Sequence, residues 1–193
     1  MQINRKQIII PLILLANINS VMANDFFIGL KFFGLSIHPF EVYNSHIMPR
    51  KLDKGGTFVL NLGASLNGEY FIYKDIFSAK LIQGLYSDCA GKLGGFSHIG
   101  LRGKIFKHEK HSVYGGMGPT LIYRKNWYSL DGYDDTFSFF KGDPNDTWQY
   151  GFIWYGGEFE YNYAINDNFS FSVSFVPGFP DLANLSAGLR YRL

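Results

Sequence analysis

With one cysteine, Cys89, in 193 residues, the chain can form no internal disulfide, so the fold stands without that staple. Charge is also scarce, at 18% Asp, Glu, Lys and Arg, and mean hydropathy is near zero. With 22 Gly spread through the chain, this excludes a disordered, collagen-like or coiled-coil protein. No Cys/His cluster has zinc spacing, and His108 and His111, flanked by Lys107, Glu109 and Lys110, read as a solvated turn. Beyond Ala23 no run of eighteen apolar residues occurs, and no long stretch repeats at helical spacing, so spanning helices and helix bundles are excluded.

A basic balance is missing too. Met1 to Lys6 followed by the apolar run Ile8 through Leu15 and then Val21-Met22-Ala23 has the order of a cleaved export signal, expected over 1–23. The alternative, a membrane anchor, is disfavoured because the run is far shorter than the ~20 residues a spanning helix needs. Of the 18 Lys and Arg residues, two (Arg5 and Lys6) lie in that segment, which leaves 16 against 16 acidic side chains in 24–193. A neutral exported chain lacks the basic face that nucleic acid requires.

What the chain has in abundance is aromatic side chains: 19 Phe, 13 Tyr and 3 Trp, a share equal to its whole charge. The dominant period is two. Phe169, Phe171, Val173 and Phe175 alternate with serines, and Ala183 through Leu193 alternates apolar with small or basic residues. Phe58, Leu60, Leu62, Ala64 and Leu66 face away from Asn61, Gly63, Ser65 and Asn67. Less regular strands fit Phe26 to Ile37, Ile76 to Tyr86, Gly95 to Lys107, Ser112 to Asn126 and Trp148 to Tyr163.

Short turns at Lys74-Asp75, Lys107 to Lys110 and Ala164 to Asn168 alternate with connections at His38 to Gly55, Asp88 to Gly94, Trp127 to Thr147 and Pro177 to Asp181, most of them longer. Residues 24–193 thus predict an all-β, eight-stranded antiparallel up-and-down barrel in a Gram-negative-type outer membrane, where lipid tolerates no unpaired strand edge. Aromatic girdles fit its two interfaces. The other reading, a soluble secreted barrel with an aromatic core, needs a charged outer face, whereas the charges are expected in turns and loops. Pro119, inside a strand, marks either a bulge or a lateral opening. His98 is expected to face the lumen beside Arg102. The acids of the 127–147 loop lack a Gly-bearing twelve-residue calcium loop and read as solvated.

The topology brings His38, at the outer end of the first strand, to the same rim as Asp88 and Cys89 at the outer end of the third. A base, a carboxylate and a nucleophile on one rim could run acyl transfer; the bland alternative is a solvated His and a Cys acting as small apolar filler. His46 in the same loop is a second possible base.

At these residues the sequence resembles a known family. Leu35-Ser36-Ile37-His38-Pro39-Phe40, then Pro49-Arg50, Gly55-Gly56-Thr57-Phe58, Gly84-Leu85-Tyr86-Ser87-Asp88-Cys89, Asn126-Trp127-Tyr128 and Phe175-Val176-Pro177-Gly178 fall in an order similar to the lipid A palmitoyltransferase (PagP-type) family. The resemblance implies an outer-membrane acyltransferase that moves a fatty acyl chain from a phospholipid to lipid A, with His38 as base, Asp88 as its partner, no cofactor or metal, and the acyl chain inside the barrel; independently of it, a monomer is expected. Gly63, Ser65, Ser172 and Ser174 would suit such a cavity. Departures are Cys89 where the family has Ser, no amphipathic helix before the first strand, and only Pro177 at a matching gate position. The alternative function is a non-enzymatic small barrel, a structural or adhesive surface protein whose longer loops bind. A lipid A deacylase barrel is disfavoured, since its His-x-Ser-Asn stretch is absent.

Overall fold

In the computed structural model, which describes residues 26–38, 42–136, 138–176 and 183–193, eight antiparallel strands close into one barrel in sequence order. They are β1 (Phe26–Ile37), β2 (Phe58–Tyr73), β3 (Phe77–Ser87), β4 (Leu93–His108), β5 (His111–Lys125), β6 (Trp148–Ala164), β7 (Phe169–Val176) and β8 (Ala183–Arg192). β8 returns to β1, with Phe27 opposite Arg192, so no described strand edge is left for lipid. The expected fold class holds. The export segment and the connection from Pro177 lie outside the described residues.

Turn chemistry separates the rims. Lys74 and Glu109 take left-handed backbone, φ +48° and +49°, which lets β2–β3 and β4–β5 reverse within a few residues. These short turns share a rim with the start of β1 and the end of β8. The opposite rim carries the first and third long connections. The second is shorter than expected, five residues from Asp88 to Lys92. Pro119 is a bulge: the β5–β6 register shifts between Gly118 and Thr120, because Pro cannot donate to the ladder.

The period-two pattern sorts the wall. Phe58, Leu62, Leu66, Tyr70 and Ile72 of β2 are exposed, as are Phe169, Phe171 and Phe175 of β7 and Leu185 and Leu189 of β8. Trp154 and Tyr155 are 69% and 79% exposed, a cost that only an apolar solvent removes. The outward face is therefore a lipid-facing belt.

The inward face corrects the expectation that charge collects in turns and loops. Lys31, Glu69, Lys80, Arg102, Glu158, Glu160 and Arg190 all sit within strands and are all buried in the lumen. Glu160 is the hub: it pairs with Lys31 and Lys80, with Arg102 Nη2 at 3.1 Å and with Arg190 Nη1 at 3.3 Å. Glu69 takes Arg102 Nε at 3.1 Å and also Arg190. Gly116 stands opposite both Arg102 and Glu158, and a Cβ there would press on Arg102 and on the backbone of β4, so only Gly lets the two large side chains meet. His98 is also buried, its Nδ1 2.7 Å from Thr120 Oγ1, in the lumen with Arg102 as expected.

Aromatic layers bound this ionic layer on both sides. Toward the short turns, Phe27, Phe71 and Tyr114 stack edge to face at 5.6 and 5.8 Å. Toward the long loops lie Phe33, Ile82, Tyr86, Phe96 and Ile122, with Phe139 and Phe140 of the third loop packed on them. The space left beside Lys31, Phe33 and Lys80 is about 10 Å³, room for one water at most. The expected acyl cavity is therefore absent there: the small residues Ser65, Ser172 and Ser174 make room for long charged neighbours instead of a lipid tail.

Candidate functional site at the long-loop rim

β1 delivers His38 to the rim, where its N–H donates to Thr57 O at 2.7 Å as the ladder with β2 ends. The chain then forms a 3-10 helix, Val42–Ile47, that sets Met48 over the barrel mouth. Met48, Val59, Cys89 and Trp127 form a buried cap, with Ile47, Ala90, Leu130 and Tyr133 around it. Arg50 staples the first loop to the second connection: its N–H donates to Cys89 O at 3.2 Å and its Nη1 to Ser87 Oγ at 2.8 Å.

Asp88 is 3% exposed and organises this cap. Its Oδ1 accepts the N–H groups of Ala90 (3.0 Å) and Lys92 (2.7 Å), closing the turn, while Oδ2 accepts Trp127 Nε1 at 2.7 Å. Burial raises the carboxyl above its ordinary value, opposed first by the Trp127 hydrogen bond. Cys89, fully buried, packs its thiol in the apolar cluster. His38 is 6% exposed, and Asn61 Nδ2 donates to its Nε2 at 3.2 Å. The three residues expected to act together thus reach one rim, but the described hydrogen bonds put Asn61 on His38 and Trp127 on Asp88.

Two cap residues, Arg124 and Gln149, carry no sequence motif. Arg124 is held flat between the rings of Trp127 (3.6 Å) and Phe140 (3.9 Å). Its Nε donates to Gln149 Oε1 at 3.1 Å and its Nη2 to Tyr133 OH at 3.1 Å, while Trp127 N–H also donates to Gln149 Oε1. Arg124 and Gln149 face each other across the β5–β6 ladder, a register that only pairing reveals. Strand alternation alone gives their inward orientation, the one signal available beforehand.

The first and third loops are tied to each other. Asn44 Nδ2 donates to Asp134 O (2.8 Å), Asp134 N–H donates back to Asn44 Oδ1 (2.9 Å), and His46 Nε2 lies 2.9 Å from Gly132 O. His46, a possible base by proximity, thus serves as a loop tie. Tyr128 OH bonds the Asp135 carboxylate, which pushes its phenol up to about 12. Among the described residues no three His, Cys, Asp or Glu side chains gather to hold a metal ion. What this rim presents outward is charge: Arg50, Lys51, Lys54 and Lys92 with Asp53 on the first two connections, and Asp131, Asp134, Asp135, Asp143 and Asp146 with Lys141 on the third.

No protein-family model matches the chain, and no curated protein matches it. In fold it is similar to the N-terminal β-barrel domain of Pseudomonas aeruginosa OprF, with 12% identity over 88% of this chain and 99% of that one and a TM-score of 0.52. It is also similar to Ail, the attachment invasion locus protein of Yersinia pestis, with 14% identity over 88% of this chain and 97% of that one and a TM-score of 0.50. At such identities the likeness is one of fold. It defines the class: a small outer-membrane-type barrel of eight strands. The resemblance to the lipid A palmitoyltransferase family is overturned by these neighbours, which are not palmitoyltransferases, and among the described residues the middle of the lumen holds an ionic layer with no room for a lipid tail.

Proposed function

We propose that the protein is a non-enzymatic outer-membrane surface barrel that stands as a rigid, closed pedestal, probing its surroundings with the paired first and third loops. The observation that carries this reading is the lumen: a buried ionic layer sealed between two aromatic layers offers neither a bore for solutes nor a chamber for a lipid tail. The loops supply the second support. They are cross-tied, and the third carries five carboxylates against one lysine, the arrangement of a preorganised acidic face. Ail is by its own description an attachment protein, which favours the adhesive form of the reading. On this reading 1–23 is the export segment and the barrel acts as a monomer.

Two measurements on the full chain test it. In planar bilayers the reconstituted barrel should pass no steady ionic current, and expression in a Gram-negative host should leave the mass of lipid A unchanged. Sustained conductance, or an added acyl chain, overturns the proposal. Binding of barrel-bearing liposomes to a host surface should fall when the loop tie is cut by Asn44→Ala, while barrel stability stays the same.

A further inference from the structure

We propose that the cavity at the short-turn mouth is a binding site for a small neutral sugar, of the class of a pyranose monosaccharide. The cavity measures about 310 Å³, at the low end of small-ligand sites, and lies at the opposite end of the barrel from the loop face. Its floor is the Phe27–Phe71–Tyr114 layer, which offers an apolar surface.

Asn162 lines the same cavity at 3% exposure, and neither its Nδ2 nor its Oδ1 has a hydrogen-bond partner among the described residues. A buried amide with both a donor and an acceptor unused is costly unless the cavity's occupant supplies the partners. Asn162 calls for an acceptor and a donor side by side, and a pair of vicinal hydroxyls provides both. Ser112, opposite Asn162 across the β5–β6 ladder, and Ser170 of β7 add neutral hydroxyls to the lining.

Charge around the cavity is already balanced. Asp75, Glu109 and Asp167, from the three short turns, are matched in number by Lys107, Lys110 and Arg192. Asp75 is engaged by Lys104 and by Lys107 Nζ at 2.8 Å, and the further cation in the lining, Arg190, by Glu69 and by Glu160 at 3.3 Å. A charged ligand would upset that balance, whereas a neutral one leaves it in place. Among neutral ligands, an apolar one leaves Asn162 without partners, and a short polyol leaves the ring floor uncovered. A pyranose carries both surfaces: hydroxyls around its edge for Asn162 and the serines, and a C–H face for the rings.

The test uses the full chain folded in phosphocholine micelles, which carry no sugar headgroup, and follows saturation-transfer NMR of glucose, glucuronate, cyclohexanol and glycerol. Glucose should bind saturably at millimolar strength, and the other three about ten-fold or more weakly. Glucuronate adds a charge, cyclohexanol lacks the vicinal hydroxyls and glycerol lacks the ring face. Asn162→Ala should weaken glucose by roughly ten-fold while the barrel keeps its folded mobility on gels. Asn162→Leu, of similar volume, gives the same readout should Asn162→Ala not fold. No saturable glucose binding overturns the proposal and leaves water as the partner of Asn162. So does equal binding of glucuronate, which would make the site electrostatic, of cyclohexanol, which would reduce it to apolar partition, or of glycerol, which would remove the rings from the site. Unchanged glucose affinity in the folded Asn162 variants overturns it as well.

Discussion

The middle of the lumen and its long-loop mouth are both buried, yet opposite chemistry holds them. In the middle, four cations and three carboxylates meet around Glu160. At the mouth, Met48, Val59, Cys89 and Trp127 pack as an apolar cap around one carboxylate, Asp88. Strand residues in an outer-membrane barrel must be apolar outside, so polarity is forced inward, and a narrow lumen leaves it only other strand side chains for partners. The mouth is closed by loops, whose backbone meets water and which are free to bring hydrophobic side chains down. The ionic layer therefore depends on every partner at once, while the cap depends on volume and one anchoring hydrogen bond.

The largest effect that would break this contrast is Glu160→Gln. It removes the acid shared by Lys31, Lys80, Arg102 and Arg190, taking from Lys31 its one described carboxylate partner, and should cost about 3–5 kcal/mol, read from urea unfolding of the barrel in lipid vesicles. Adding Lys31→Met should recover part of the loss; a further decrease would mean the layer is held by packing. Next comes Trp127→Phe, which keeps the ring but leaves Asp88 Oδ2 unsatisfied, at about 1–3 kcal/mol. Its signature is faster protease nicking of the 127–147 loop, with the barrel midpoint in urea nearly unmoved. Cys89→Ser should cost about 1–2 kcal/mol by placing a hydroxyl against Met48, Val59 and Trp127, read the same way, and the native thiol should resist alkylation until the cap opens.

The smallest effects are pH-dependent and have opposite signs at the two rims. Asp75 is drawn down to about 2 by its hydrogen bond from Lys104 and then by that from Lys107. Its folded value lies below the unfolded carboxyl, so its contribution is present above pH ~4 and is lost as pH falls toward 2. With the side chain half exposed, solvent screening holds it below about 1 kcal/mol. Burial raises Asp88 instead. The fold then holds that proton more tightly than the unfolded chain, so the cap should grow firmer as pH falls through the raised value toward ~4. Loop proteolysis between pH 7 and 4 should slow in the native chain and lose that trend in Asp88→Asn.

Much of the wall was legible because lipid imposes a simple rule. β1 runs from Phe26 to Ile37 as the alternation predicts, and every other expected strand agrees to within a few residues except β2, which continues through Gly68 to Tyr73. Gly68 and Glu69 interrupt the simple apolar pattern there, and pairing with β1 and β3 carries the strand through them. The inward facing of His98 and Arg102 was legible from alternation as well, although His98 takes Thr120 as its partner. The site was legible only as a location: His38, Asp88 and Cys89 do reach one rim. Asn61 faces inward from β2 as the alternation has it, whereas the reach of Trp127 to Asp88 depends on how the third loop packs, which has no period. In this chain the short motifs that suggested an acyltransferase hold a strand end, a turn-closing Asp and an anchoring Trp.

The sequence by itself determined the hairpin order and which face of each strand meets lipid, because a period of two and an apolar solvent leave one choice. Only the tertiary structure decided what the lumen does. Lys31 and Glu160 are 129 residues apart, and whether they meet depends on how the ladders are staggered when β8 closes on β1. Shifting one ladder by two residues would keep every apolar side chain facing lipid and still part these charges. Closure fixed that stagger, and with it a sealed ionic core in place of a chamber.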